Sequence, residues 1–66
     1  MKNTIKIERA RHNMTQQDLA EKVSVSRQTI NSIEAGKYVP STVLALKISQ
    51  VFSVSLEEIF QLEEGD

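Results

Sequence analysis

Apolar residues recur along this chain at helical spacing, and residues with capping chemistry punctuate them. Leu19, Ala20 and Val23 follow Met14-Thr15, and their period predicts a helix over about 16–23. Thr15 and Asp18 spell T-x-x-D, a capping box in which each side chain satisfies an amide of the other residue. Met14, just before the cap, can pack on Leu19 as a hydrophobic staple. Ser26 caps the next helix, Ile30 and Ile33 provide its buried stripe, and Gly36 ends it. Pro40-Ser41 opens a further segment, whose Leu44, Ile48, Val51 and Phe52 sit at i, i+4, i+7 and i+8. Ser55 with Glu58 forms another capping box and Val54 with Ile59 another staple, so a short last helix is predicted over about 56–61. The first helix, about 4–12, has the least defined stripe. Ile5 and His12 share a face with Glu8 and Arg9, while Ile7 and Ala10 fall elsewhere. Asn13 suits its end, because asparagine tolerates the left-handed conformation.

No run of four to eight alternating residues marks a strand, and only Gly36, Gly65 and Pro40 break the pattern. The expectation is an all-α, five-helix single domain over 1–66 with a short acidic tail at 61–66. Only Ser24 and Val25 separate the second helix from the third, and so tight a connection favours a steep crossing over antiparallel packing.

Size and composition narrow the chemistry. A chain of 66 residues buries only about 60% of its unfolded surface, so a sizeable ligand pocket would remove core it cannot spare. Disulfides are excluded by the absence of cysteine, and His12 is the single histidine, which argues against a zinc site. Oligomerisation is the remaining source of extra burial. No nucleophile–base pair, metal cluster or phosphate-cradling glycine loop is legible. The chain is therefore read as not an enzyme, with no cofactor, no metal and no small-molecule ligand. No apolar run reaches the length of a membrane span or of a signal-peptide core, which makes the cytoplasm the expected compartment. The net charge of −1 hides a polarity. Residues 57–66 hold five of the nine acids (Glu57, Glu58, Glu63, Glu64, Asp66) and no base. Residues 1–56 therefore carry eight bases against four acids, or +4.

The third helix carries the most specific pattern. At about 100° per residue, an inward side set by Ile30 and Ile33 leaves Gln28, Asn31, Ser32 and Ala35 pointing furthest outward, with Arg27 on the flank of the first turn. Solvated helix faces are usually rich in Glu and Lys; this one has amides, a hydroxyl, one guanidinium and no acid. Amides read adenine bidentately, and arginine reads guanine or grips phosphate. The helices capped by Thr15 and Ser55 have an acid at the third position, but the one capped by Ser26 has Thr29. Its N-terminal amides thus remain open to a phosphate that an acid would repel.

The run Met14-Thr-Gln-Gln-Asp-Leu-Ala-Glu-Lys-Val-Ser-Val-Ser-Arg-Gln-Thr-Ile-Asn-Ser-Ile-Glu-Ala-Gly-Lys-Tyr-Val-Pro-Ser41 resembles the phage-repressor or Cro-like helix-turn-helix family, also called the Xre family. Leu44-Ala-Leu-Lys-Ile and Val51-Phe-Ser-Val-Ser-Leu-Glu-Glu-Ile-Phe60 resemble its fourth and fifth helices, so the likeness covers nearly the whole chain and is nearest to very small stand-alone repressors. The resemblance implies a sequence-specific DNA-binding regulator whose second and third helices form the motif and whose third helix enters the major groove. It implies that Gln16 contacts backbone phosphate, that Lys37 neighbours phosphate, and that Arg9 and Glu34 form a partly buried ion pair tying the first helix to the third. With the outward face of the third helix, the expected DNA-binding set is Gln16, Ser26, Arg27, Gln28, Thr29, Asn31, Ser32 and Lys37. Three positions depart from the family pattern. Ser24 and Ser53 stand where glycine, or asparagine in the second case, is usual, and Glu8 stands where an apolar inward residue is usual.

A monomer this small covers too little DNA for tight specific binding. A two-fold dimer placing two third helices roughly 34 Å apart on a palindromic operator solves this. Leu56, Ile59, Phe60 and Leu62 near the C-terminus are the expected dimer surface, and blocking of polymerase at a promoter, hence repression, the expected outcome. The rival reading is a protein-interaction module, or an antitoxin-type partner, that keeps the helix-turn-helix fold.

Overall fold

The computed structural model describes all residues from Met1 to Asp66. Five helices follow one another: α1 (Ile5–Arg11), α2 (Gln16–Val23), α3 (Arg27–Glu34), α4 (Thr42–Phe52) and α5 (Leu56–Ile59). Two short strands, β1 (Lys2–Asn3) and β2 (Phe60–Gln61), pair antiparallel with Lys2 opposite Gln61 and Asn3 opposite Phe60. This ribbon corrects the expected last helix over 56–61. Its end is drawn into a strand by the residues before α1, in a pairing between distant parts of the chain that no local pattern announces. The ribbon continues into α1, where the Thr4 amide donates to the Ile59 carbonyl at 2.9 Å and the Thr4 hydroxyl to the Glu58 carbonyl at 3.2 Å. Beyond it, the Met1 ammonium lies 3.1 Å from Glu63 and 3.0 Å from Asp66. Asp66 above all, and then Glu63, holds the amine pKa above its ordinary value by hydrogen bonding.

One core joins the helices. Ile5, Leu19, Ala20, Ile30, Ile48 and Ile59 are fully enclosed, with Val23, Ile33 and Phe52 almost so. Each helix contributes its apolar stripe, which is the main source of stability in helices this short. On α1 the inward positions are Ile5 and Glu8, leaving Ile7 54% exposed. Glu8 keeps the inward place of an apolar residue at 6% exposure by directing its carboxylate to Arg11 at 2.8 Å, one turn along. His12 closes the same face, its ring centroid 5.2 Å from that of Phe52. Its Nδ1 lies 2.9 Å from the Glu8 carbonyl, which can only accept, so that nitrogen carries the proton.

Start signals behave as local chemistry requires. The Thr15–Asp18 box is reciprocal, and the Thr15 amide, followed by its hydroxyl, holds the Asp18 carboxyl below its ordinary pKa. Ser26, Ser41 and Ser55 each accept the amide three residues on. The Ser55 cap is not the reciprocal box expected, because the Glu58 carboxylate takes the Ser55 hydroxyl at 3.1 Å rather than its amide.

Helices α1 to α4 all end the same way. Asn13, Ser24, Gly36 and Ser53 have positive φ (53°, 61°, 75° and 55°). In each case the next amide reaches back five residues: Met14 to Arg9, Val25 to Ala20, Lys37 to Ser32 and Val54 to Ser49. This is the Schellman pattern, whose following residue is commonly apolar and packs on the helix it has left. Met14, Val25 and Val54 do pack against the core. After α3 the corresponding residue is Lys37, which is exposed. The one stop that points a charge outward is thus the stop of α3.

Only one of these four left-handed positions is a glycine. The conformation costs other residues about 1–2 kcal/mol, and a glycine gives back about 0.5–1 kcal/mol through the unfolded chain. Ser24→Gly and Ser53→Gly are each expected to stabilise the domain by about 0.5–1 kcal/mol. Gly36→Ala is expected to cost about 1–2 kcal/mol from torsion alone, because a Cβ there meets no atom within 4 Å. Urea unfolding of the three variants checks both signs.

Candidate DNA interface

Helix α3 is short, so its orientation depends on few groups. Ile30 and Ile33 bury its inner side. Its start is fixed by Ser26, whose hydroxyl accepts the Thr29 amide at 3.2 Å and lies 3.0 Å from the Thr29 hydroxyl. Both hydroxyls thus serve the N-cap and remain at the surface beside it. No acid occupies the first turn, which leaves the positive end of the helix dipole uncancelled.

The outer side gathers most of the predicted residues. Ser26, Gln28, Thr29, Ser32 and Lys37 line one open cleft along α3, together with Tyr38. Arg27 and Asn31 are exposed but lie outside this cleft, and Gln16 sits at the start of α2. Tyr38 is the member that sequence reading missed. The available signal was a large half-exposed aromatic two residues past the stop of α3, with its phenol free to donate.

The last turn of α3 is held by charge. Arg9 places Nε 2.7 Å from Glu34 Oε2 and a terminal nitrogen 3.0 Å from Oε1, a bidentate pair. Its remaining terminal nitrogen donates to the Met14 carbonyl at 3.0 Å, so every nitrogen of the guanidinium is engaged. Hydrogen bonding to Glu34 raises the Arg9 pKa still further. Gln16 Nε2 donates to Glu34 Oε1 at 3.3 Å. A side-chain amide has a second N–H, so this contact orients Gln16 while leaving a donor for an anion outside.

The four residues expected to form a dimer surface differ in exposure. Ile59 is 0% exposed and Phe60 is buried, both within this chain's own core. The fold uses them to seat α5 and β2, and Phe60 shows only an edge, on a groove it shares with Leu56 and Val39. Leu56 is half-buried against the same core, and Leu62 stands 81% exposed beyond the ribbon.

Two helices joined by a three-residue turn, the second capped without acid and presenting an amide- and hydroxyl-lined face, define a helix-turn-helix domain. The family profile described as helix-turn-helix matches residues 5–59, and the chain belongs to that family, in its phage-repressor and Cro-like branch. It is 56% identical over 66 residues to an uncharacterized HTH-type transcriptional regulator of Methanocaldococcus jannaschii, covering 100% of both chains. It is 53% identical over 64 residues to the uncharacterized HTH-type transcriptional regulator YgzD of Bacillus subtilis, covering 97% of each. Among solved structures, it superposes on the SOS-response transcriptional repressor LexA of Eubacterium rectale with a TM-score of 0.79 at 19% identity, covering 94% of this chain and 66% of that one. The clp gene regulator ClgR of Corynebacterium glutamicum gives 0.75 at 24% identity, over 82% of this chain and 57% of that one. At those identities the two structures establish a shared fold.

The bidentate pair generates a prediction. In a double-mutant cycle of Arg9→Met and Glu34→Gln, the two changes are expected to couple by at least about 0.5 kcal/mol in urea unfolding. Additive effects would mean that the pair carries no energy of its own.

Proposed function

We propose that this protein is a sequence-specific DNA-binding transcriptional regulator that inserts α3 into the major groove of a palindromic operator, binds as a homodimer and represses by occlusion. The observation that carries the reading is the outer face of α3, which bears amides, hydroxyls and flanking cations with no acid in its first turn. Gln28 and Ser32 are the base readers, and Asn31 lies beside them. Arg27, on the first turn, reaches guanine or phosphate. Gln16, the Arg27 and Gln28 amides that have no partner inside the helix, the hydroxyls of Ser26 and Thr29, and Lys37 grip the backbone, and the Tyr38 hydroxyl adds a phosphate donor. The HTH-type regulator names of the full-length relatives support the same reading.

The homodimer needs a surface other than Ile59 and Phe60. Val39, Val43 and Leu46 are exposed large apolar residues on α4 and the approach to it, Val43 at 64%. Tyr38 and Val43 line a cleft with Lys47 that runs on from the one along α3. A second copy seated there would bring two α3 helices into one assembly, as a palindromic operator requires. Sedimentation at micromolar concentration is expected to show twice the chain mass, and Val43→Glu with Leu46→Glu the single mass. A native chain that stays monomeric at its selected site removes the dimer.

Reading and gripping separate by salt. A site selected from a randomised duplex pool and a random duplex are compared across a salt series. Gln28→Ala is expected to weaken the selected site by about 1–3 kcal/mol and the random duplex little. Lys37→Ala is expected to weaken both alike and to lower the salt slope by about one unit. An unchanged ratio of affinities for Gln28→Ala would show that α3 does not read bases.

A further inference from the structure

The N-cap residue of α1, Thr4, makes no side-chain cap. Its hydroxyl is directed to Glu58 instead. The amide of Ile5, which has no partner inside the helix, donates instead to Asn3 Oδ1, two residues back, at 3.3 Å. The other end of the same Asn3 side chain leaves α1 altogether. Asn3 Nδ2 donates to the carbonyl of Ile33 at 2.8 Å, across 30 residues of sequence. Ile33 is in the last turn of α3, and its carbonyl also accepts the Gly36 amide at 3.0 Å in the left-handed stop. A carbonyl has two lone pairs, and Asn3 takes the second. The orientation of the Asn3 amide is unambiguous, because one partner is a donor and the other an acceptor.

We propose that Asn3 is a positioning residue for the recognition helix, holding the last turn of α3 against the β1–β2 ribbon through the Ile33 carbonyl; this rests on the reading of α3 as the helix that enters DNA. Asn3 is itself held from behind, because its backbone pairs with Phe60, which is buried, and the next residue donates to Ile59. The end of α3 is therefore tied at two adjoining residues by independent chemistry: Glu34 by the Arg9 guanidinium, and Ile33 by the Asn3 amide. Neither tie touches Gln28 or Ser32, yet both set the angle at which those side chains meet the groove. Base contacts are directional and lose strength with small misalignments, whereas lysine contacts to phosphate tolerate them. A loosened α3 should thus lose reading before it loses grip.

The test uses the full chain with Asn3→Ala, Asn3→Asp and, as a control on the same ribbon, Thr4→Val. Amide hydrogen exchange at Gly36 and Lys37, which report the last turn of α3, is compared with exchange at Ala20 and Val23 of α2. Loss of one hydrogen bond of this kind is expected to speed exchange at Gly36 and Lys37 by about 3- to 10-fold in both Asn3 variants, with α2 unchanged. Asn3→Asp keeps the acceptor for Ile5, loses the donor and sets a carboxylate oxygen against the Ile33 carbonyl, so with the uncharged Asn3→Ala it brackets the contact to α3. Thr4→Val is expected to leave Gly36 and Lys37 at the native rate. Asn3→Ala, which changes no charge, is expected to weaken a site selected from randomised duplexes by a similar factor and to leave a random duplex unchanged. Exchange that rises equally in α2 and α3, or does not rise in Asn3→Asp, overturns the proposal, because Asn3 would then be a general stabiliser or idle. Failure of the underlying reading is separable: the native chain would then prefer no duplex over another, and a role toward DNA would fall whatever the exchange rates show.

Discussion

The carboxylate of Glu34 is the point on which the arrangement of this small domain turns. It sits in the last turn of α3, receives two nitrogens of Arg9 from α1 and one of Gln16 from α2, and so joins three helices at one group. Such a contact adds little net stability, because removing the charges from water costs about what their attraction returns. What it supplies is geometry. Two isoleucines set which side of α3 faces inward, but an apolar contact is non-directional and leaves the helix free to tilt and slide. A bidentate guanidinium–carboxylate pair has fixed distances and a fixed plane, and it supplies the orientation that the core does not.

The rest of the fold follows the same division of labour. The apolar stripes of five short helices meet in one core, with Leu19, Ile30, Ile48 and Ile59 at its centre. The polar groups at helix ends then decide how the helices enter and leave it. Left-handed stops at Asn13, Ser24, Gly36 and Ser53 turn the chain within one residue, and the links after α1, α2 and α4 are correspondingly short. Three of those stops drive the next side chain into the core and the fourth releases Lys37 to the surface. That difference, together with an acid-free start and a face of amides and hydroxyls, gives α3 an outward side suited to a polyanion.

Much of this was legible in the residues themselves. Capping hydroxyls at Thr15, Ser26 and Ser41, apolar periodicity in α2 to α4, and the amide face of α3 are local properties. A helix start depends on a side chain and an amide three residues apart, and a helix face on residues within two turns. The helix-turn-helix family could be named from the same short-range motifs. Glu8 was harder, because its inward place on α1 conflicts with its charge until Arg11 is seen beside it.

The sequence by itself therefore determined the helices, their starts, the family and the chemical character of the α3 face, since all of these depend on neighbours along the chain. Tertiary structure alone decided the rest. It turned Phe60 and Gln61 from a helix end into a strand against Lys2 and Asn3, enclosed Ile59 in the core, and set Asn3 against Ile33. Each of these is a pairing between segments far apart in sequence. Hydrogen-bond partners at such separations are selected by how the core brings the segments together, which no local pattern encodes.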